Sequence, residues 1–281
     1  MPDIQPVESE DTGVSVWVLA AVAVAVLALL SVPAFFLIRD LLTIDIGAPD
    51  VGGASGVPTR GARTILVDTT LTADHNGSVF IGANNVTLDC AGHTITGSRR
   101  GSSVHGINVP GRAGVTVKNC VVTGFSAGFL ISRSDANTFT NNTVTRVSSG
   151  FTLTKSNNNT ISRNIVDDAN DWFGYGTFES SRNNTFTHNR AISVAGVAFM
   201  AWQGDNNLWE ANEATDNFGI GFAANTTTRD NTFRGNLSKG NTGFGIEDQT
   251  TGSGHAGTGN FYEDNVCEEN GHGASSPDGL C

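Results

Sequence analysis

From about residue 85 onward, short apolar stretches alternate with clusters of Asn, Thr and Gly. Within each stretch a large apolar residue lies between smaller polar ones, as in NTFTNN, which begins at Asn137, and NTFTHN, which begins at Asn184. A period of two is the pattern of a strand that buries one face. The pattern therefore predicts many short strands separated by tight turns.

The alternation is part of an internal repeat. Eight copies of the motif follow one another at intervals of 22–29 residues, and in seven of them the fifth residue after the start is Asn. Repetition at this period is typical of solenoid folds. The copies start at Asn85, Gly114, Asn137, Asn159, Asn184, Asn207, Asn231 and Asn260, and the recurring Asn residues are Asn119, Asn142, Asn164, Asn189, Asn212, Asn236 and Asn265.

A parallel β-helix accounts for both features. Each coil would hold three short strands, and successive coils would stack about 4.8 Å apart as parallel sheets. Asn tolerates the left-handed backbone of a bend, and stacked Asn amides can hydrogen-bond along the axis. We therefore predict an all-β fold over residues 64–281, a right-handed parallel β-helix of about eight or nine coils with an Asn ladder. Residues 64–84 are predicted to form an atypical first coil.

The N-terminal part of the chain has a different character. Residues 13–38 carry no charge and are long enough to cross a bilayer as one helix. Residues 1–12 contain acids and no base, unlike a secretory signal, so we predict an acidic tail followed by an uncleaved transmembrane anchor. The Gly- and Pro-containing residues 39–63 are predicted to be a linker. Arg39, the first base, weakly favours a cytoplasmic C-terminal domain, whereas the cysteines favour export.

Four cysteines can be paired in three ways. The pairing that suits the stacking of coils best is Cys90 with Cys120 and Cys267 with Cys281. Cys90 and Cys120 fall at neighbouring positions of successive coils, and Cys281 can hold the chain end against the last coil. Four free thiols are the alternative. With export, the prediction is a single-pass protein of the cell membrane whose β-helix domain is extracytoplasmic.

The formal net charge of −11 argues against nucleic acid as a partner, because an acidic surface repels phosphate. The sequence has no CxxC motif and no pair of His residues at the spacing of a zinc finger, so no zinc site is predicted. The six His residues are widely spaced and the domain has one Met, Met200, so no copper site is predicted either. No metal-binding residues are assigned.

Two segments carry a resemblance to a known family. NVTLDCAGHTITG, from Asn85, and VTVKNCVVTGF, from Val115, resemble the repeats of the right-handed β-helix, pectate-lyase-like superfamily, and within it the NosD-type branch of surface and periplasmic proteins. The resemblance covers about residues 64–270 and implies the fold. It leaves function open, since this fold occurs in lyases, hydrolases, epimerases, adhesins and scaffolds.

Members of that superfamily that act on polysaccharides use the outer face of one sheet near the turn that leads into it, which directs attention to outward acids and aromatics. Ring faces stack on sugars, and carboxylates bind hydroxyl groups or Ca²⁺. The catalytic candidates are Asp168, Asp216, Glu179 and Arg146, and the carbohydrate-binding candidates are Asp171, Trp172, Tyr175, Trp202 and Glu247. The alternative is that all of them are solvated outer-face residues.

Two functions follow from this arrangement. One is a membrane-anchored surface protein that binds or modifies carbohydrate, with Ca²⁺ as the one cofactor considered. If it is an enzyme, the expected class is a polysaccharide lyase or a glycoside hydrolase. The other is a non-catalytic scaffold or adhesion module, in which the β-helix serves as a rigid rod.

Overall fold

A computed structural model of the protein describes residues 61–98 and 104–281. These residues form the predicted right-handed parallel β-helix, in which each coil contributes one strand to each of three parallel sheets. The predicted acidic tail, the transmembrane anchor and nearly all of the linker lie outside the described residues. Within the described ranges no helix is long and apolar enough to cross a membrane.

We name the sheets A, B and C in the order in which a coil visits them. Sheet A contains ten strands: β1 (Arg63–Ile65), β4 (Val79–Ile81), β7 (His105–Pro110), β10 (Ala127–Ser132), β13 (Ser149–Thr154), β16 (Phe173–Phe178), β19 (Val197–Ala201), β22 (Phe222–Ala224), β25 (Phe244–Asp248) and β28 (Gly273–Ser276).

Sheet B contains nine strands: β2 (Thr69–Thr70), β5 (Thr87–Asp89), β8 (Thr116–Lys118), β11 (Thr138–Thr140), β14 (Thr160–Ser162), β17 (Thr185–Thr187), β20 (Leu208–Glu210), β23 (Thr232–Arg234) and β26 (Phe261–Glu263). Sheet C also contains nine: β3 (His75–Asn76), β6 (Thr94–Thr96), β9 (Val121–Thr123), β12 (Thr143–Val147), β15 (Ile165–Ala169), β18 (Arg190–Ile192), β21 (Glu213–Thr215), β24 (Leu237–Lys239) and β27 (Val266–Glu268). One 3₁₀ turn, His255–Gly257, lies in the loop between β25 and β26.

The core is aliphatic in the N-terminal coils and becomes a double column of aromatic rings from Phe129 onward. On sheet A, Phe151 and Tyr175 stack with ring centroids 5.2 Å apart, and Tyr175 stacks on Phe199 at 4.8 Å. On sheet B, Phe186 stacks on Trp209 at 4.0 Å. The two columns meet edge to face, as Tyr175 and Phe186 do at 6.5 Å. In-register parallel strands place equivalent residues above one another, so the period-two pattern becomes a continuous apolar core.

The predicted Asn ladder is present at the bend between sheets B and C, from Asn142 to Asn265. Each amide nitrogen up to that of Asn236 donates to the amide oxygen of the next coil, for example Asn142 Nδ2 to Asn164 Oδ1 at 3.0 Å. The ladder members are buried, and a buried amide is tolerated when it is paired in this way.

Asn119 is not part of this ladder, contrary to the prediction. The adjacent residue Cys120 lies at the ladder position, because its backbone N–H donates to Asn142 Oδ1 at 3.0 Å. Asn119 has a left-handed backbone with φ 56° and is only partly buried, and its amide donates to the Asp89 carboxylate at 3.0 Å. In this coil the motif therefore starts at Val115 and not at Gly114.

Two further Asn columns were not predicted as ladders. One lies at the bend between sheets A and B and includes Asn137, whose Nδ2 donates to Asn159 Oδ1 at 3.0 Å. The other lies at the bend between sheets C and A, where Asn217 Nδ2 donates to Asn241 Oδ1 at 2.7 Å. All three corners of the C-terminal coils are therefore braced by amides.

Both preferred disulfides form, Cys90–Cys120 and Cys267–Cys281. The second holds the C-terminal tail across the last coil. In that tail the Leu280 side chain is buried and its carbonyl accepts a hydrogen bond from Asn265 Nδ2 at 3.4 Å. The tail therefore closes this end of the apolar core.

Candidate functional site

The turn from sheet C to sheet A, which we call the C–A corner, brings several candidate residues together. Arg146, Asp168 and Asp216 lie in one column that runs along the helix axis, together with Ser193 and Gly240. The strand register places the preceding residues, among them Thr145 and Asp167, opposite one another. The structure therefore aligns three of the four catalytic candidates on one edge of the solenoid.

All members of this column have a left-handed backbone. The φ angles are 53° at Arg146, 60° at Asp168, 55° at Asp216, 54° at Ser193 and 66° at Gly240. Asp and Gly are favoured there, because Gly has no Cβ and Asp can satisfy the backbone locally. Part of the acid content of the column thus has a purely structural cause.

The two acids of the column are two coils apart. With a coil spacing of about 4.8 Å, their positions are separated by roughly 10 Å. Inverting glycosidases hold their carboxyl groups about 6.5–9.5 Å apart and retaining enzymes about 5–5.5 Å apart. Asp168 and Asp216, with Ser193 between them, therefore do not form a close acid pair.

Arg146 reaches away from Asp168, towards the preceding coil. Its Nε donates to Thr123 Oγ1 at 3.1 Å, and among the described residues no carboxylate lies within 4.0 Å of its guanidinium. The side chain lines a shallow depression of about 270 Å³. Its lining residues are Thr96, Gly97, Ser98, Thr123, Gly124 and Arg146.

Two large aromatic side chains project from the same corner into solvent. Trp172 is 51% exposed and Phe218 is 67% exposed. The backbone N–H of Trp172 donates to Ser148 at 3.2 Å, and that of Phe218 donates to Val194 at 2.8 Å, which fixes each residue on the backbone of the coil before it. Asp171, next to Trp172, is also exposed.

Phe218 was not among the predicted site residues. A signal was present in the sequence, because Phe218 interrupts the inward-outward alternation directly after Asn217 and directly before Gly219. An aromatic residue at that point cannot reach the core without displacing the buried Asn217 column.

Tyr175 is a wrong prediction. It lies in the middle of β16 with its ring fully buried between Phe151 and Phe199, and its hydroxyl donates to the carbonyls of Asn164 and Arg190 at 2.9 and 3.1 Å. Burial holds the pKa of the Tyr175 hydroxyl well above its ordinary value. The side chain supports the core and cannot reach a ligand at the surface.

The remaining candidates lie along sheet A, away from the C–A corner. Glu179 follows β16 with φ 49° and pairs with Lys155 Nζ at 3.0 Å, while Trp202 is a partly buried residue just after β19. Glu247 is outward-facing on β25 but only 5% exposed, and its Oε1 accepts a hydrogen bond from Gln249 at 2.9 Å. Glu179 and Glu247 were expected on one outer face. Glu179 and Glu247 do not share a column. Glu247 is in register with Ala223, which in turn is in register with Met200.

These acids do not assemble a cation site. Within the described ranges no group of three or more His, Cys, Asp or Glu side chains is placed to hold a metal ion. Ca²⁺ takes six to eight oxygen ligands, usually including several carboxylates. The donor set does not fit Ca²⁺.

The chain matches the family described as the right handed beta helix region over residues 55–209 and 172–276. It belongs to this family. No curated protein matches the chain.

Several solved structures are similar in fold. The catalytic domain of a GH87 α-1,3-glucanase in complex with nigerose is 15% identical, with a TM-score of 0.47, and the match covers 78% of this chain and 61% of that one. The periplasmic alginate epimerase AlgG is 14% identical (TM-score 0.47; 72% of this chain and 48% of that one). The polygalacturonase from Erwinia carotovora is 12% identical (TM-score 0.47; 74% and 73%). The chain thus spans about three-fifths of the glucanase domain and about half of the epimerase.

Proposed function

We propose that this β-helix binds carbohydrate along the C–A corner. The observation that carries the proposal is the exposure of Trp172 and Phe218 on one corner, beside the column that holds Asp168 and Asp216. Large aromatic residues are normally buried, so two of them projecting from one edge of a well-packed solenoid are unusual.

The arrangement suits a linear glycan that lies parallel to the helix axis. Trp172 and Phe218 are two coils apart, roughly 10 Å along the axis, so they offer two separate faces for sugar rings. Asp168 is half-buried and Asp216 is exposed, and both carboxylates can accept hydrogen bonds from sugar hydroxyl groups. Binding is better supported than catalysis, because no close pair of carboxylates is present in the described column.

A non-catalytic scaffold is the second candidate. Its support comes from the outer faces of sheets B and C, where ion pairs join adjacent coils. Examples are Arg190 to Glu213 at 2.9 Å on sheet C and Lys118 to Asp89 at 3.3 Å on sheet B. Such pairs hold neighbouring coils in register without forming a cleft. A rod decorated in this way can act as a spacer.

We further propose that residues 13–38 anchor the protein in the cell membrane and that the β-helix is extracytoplasmic. The two disulfides support this location, because disulfides persist in oxidising compartments and are rare in the cytosol.

The carbohydrate proposal is tested by probing the full chain on a polysaccharide array. The variants are Trp172→Ala, Phe218→Ala and Asp168→Ala, and Phe261→Ala is the matched control, because Phe261 is a comparably exposed aromatic on the outer face of sheet B. We expect the first two variants to lose binding by roughly 5- to 150-fold, since stacking on an aromatic ring is worth about 1–3 kcal/mol by analogy with base stacking. Equal loss in the Phe261 variant, or no binding to any glycan, would leave the scaffold as the better account.

A further inference from the structure

The depression at Arg146 has properties that the carbohydrate proposal does not use. Among the described residues, its lining offers hydroxyl groups from Thr96, Ser98 and Thr123, one guanidinium and no carboxylate. The depression has a volume of about 270 Å³, which is large enough to admit one charged substituent of a larger ligand.

The Arg146 side chain is held in place while most of its donors stay available. Its Nε is bound to Thr123 Oγ1, and no described carboxylate neutralises the guanidinium. An arginine fixed at Nε presents its terminal nitrogens as a planar fork, which matches the oxygens of a carboxylate or a sulfate.

Thr123 supplies a second, buried polar group. Its side chain is only 4% exposed, and its hydroxyl accepts the Arg146 bond while its own proton has no acceptor among the described residues. A buried hydroxyl with an unused donor is stabilised when an acceptor arrives. Arg146 and Thr123 thus aim donors at the same small space.

We propose that this depression is an anion-binding site that takes a carboxylate or sulfate group, and that the group belongs to an acidic unit of the glycan bound at the C–A corner. The second part rests on the proposed function. The depression lies on the same corner, since Gly124 donates its backbone N–H to the Arg146 carbonyl and the column continues from Arg146 to Asp168 and Asp216. A glycan along the corner therefore passes over it.

Arg146 would then be a binding residue that selects for acidic sugars. A neutral glycan gains only ordinary hydrogen bonds from its guanidinium, whereas an anionic group gains stronger, charge-assisted ones. The remaining carboxylates of the corner act in the opposite sense and disfavour a polymer that is charged on every unit. The site therefore fits a chain in which only some of the units are acidic.

The test is a ligand-observed NMR titration of the full chain with glucuronic acid, inorganic sulfate and, as the neutral probe, glucose. The variants are Arg146→Gln and Thr123→Val. Arg163→Gln is the matched control, because Arg163 is also exposed, has a left-handed backbone with φ 55° and makes no ion pair among the described residues.

We expect both anions to bind and to lose at least tenfold in affinity in Arg146→Gln, the effect of removing a charge-assisted hydrogen bond. Thr123→Val should weaken binding several-fold, and Arg163→Gln should leave it unchanged. Binding of neither anion, or equal binding by Arg146→Gln and the unchanged chain, overturns the proposal.

The two proposals fail separately. If sulfate binding depends on Arg146 but no glycan on the array is bound, the anion site stands and the carbohydrate function falls. If glycans are bound through Trp172 and Phe218 with equal affinity in Arg146→Gln, whether they are acidic or neutral, the selectivity proposed here is wrong and the carbohydrate function stands.

Discussion

Asn142 and Asn164 are joined by two hydrogen bonds to one oxygen atom. Asn164 Oδ1 accepts the backbone N–H of Asn142 at 2.9 Å and its side-chain Nδ2 at 3.0 Å. Asn164 Nδ2 in turn donates to the Phe139 carbonyl at 2.9 Å and to Asn189 Oδ1 at 3.1 Å. A single amide thus connects three coils and satisfies backbone groups that the bend leaves without a partner in the sheets.

Replacement of that amide should be costly. Asn164→Ala removes all four bonds and leaves buried donors and acceptors unpaired, each worth about 1–3 kcal/mol, so we expect a loss of about 3 kcal/mol or more in the free energy of unfolding. Urea denaturation measures the change. Asn170→Ala is the control, because Asn170 is exposed and makes no side-chain hydrogen bond among the described residues. A loss below about 1 kcal/mol for Asn164→Ala would mean that water replaces the ladder.

The repeat made the fold predictable, while individual side-chain directions were less so. A residue that recurs at one offset in seven copies identifies the bend, and stacking then determines the rest of the architecture. The errors arose where one residue changes the direction. The ladder position belongs to Cys120 and not to Asn119, and Tyr175, a predicted carbohydrate-binding residue, points into the core because β16 begins at Phe173. In a strand, a shift of one residue moves a side chain to the opposite face.

The candidate site was only partly predictable for a related reason. The column of Arg146, Asp168 and Asp216 follows from counting along each coil, because the coils are in register. The direction of the Arg146 side chain and the exposure of Phe218 depend on contacts between successive coils. Counting does not reveal them.

The C-terminal disulfide should stabilise the last coil rather than the whole solenoid. The bond closes a loop with a sequence separation of 14, for which chain entropy predicts about 3 kcal/mol. In the double variant Cys267→Ser, Cys281→Ser, the tail that carries Leu280 is released and the core end is exposed. We expect hydrogen exchange to accelerate in β26, β27 and β28 and to stay slow in β13, which serves as the internal reference. Equal acceleration in β13 would show that the tail stabilises the solenoid globally.

His105 should make stability depend on pH. Burial lowers the pKa of the His105 imidazole below its ordinary value of 6.5, and Ser126 Oγ lies 3.3 Å from its Nδ1. The unfolded chain therefore binds a proton more readily than the folded one. The stability contributed by neutral His105 is present above pH 6.5 and is lost as the pH falls from 6.5 through the lower pKa of the folded state.

The comparison that isolates this effect is between the unchanged chain and His105→Gln. Above pH 6.5 we expect a constant difference between their free energies of unfolding. As the pH falls below 6.5, the free energy of unfolding of the unchanged chain should fall relative to that of His105→Gln. A difference that is independent of pH between 4 and 8 would mean that the imidazole is hydrated in the folded state.

Asp216 allows structure and function to be separated at one position. Its left-handed backbone suits Gly, so the free energy of unfolding of Asp216→Gly should lie within about 0.5 kcal/mol of that of the unchanged chain. Asp216→Ala should lower the free energy of unfolding by about 1 kcal/mol through backbone strain. Ser193→Gly, in the same column with φ 54°, is the matched control for the backbone effect.

Because Asp216→Gly retains the fold, its affinity for a glycan reports on the carboxylate alone. A several-fold loss of glycan affinity in Asp216→Gly but not in Ser193→Gly would assign Asp216 to the binding surface. Unchanged affinity in both would assign its acid to the backbone geometry of the corner.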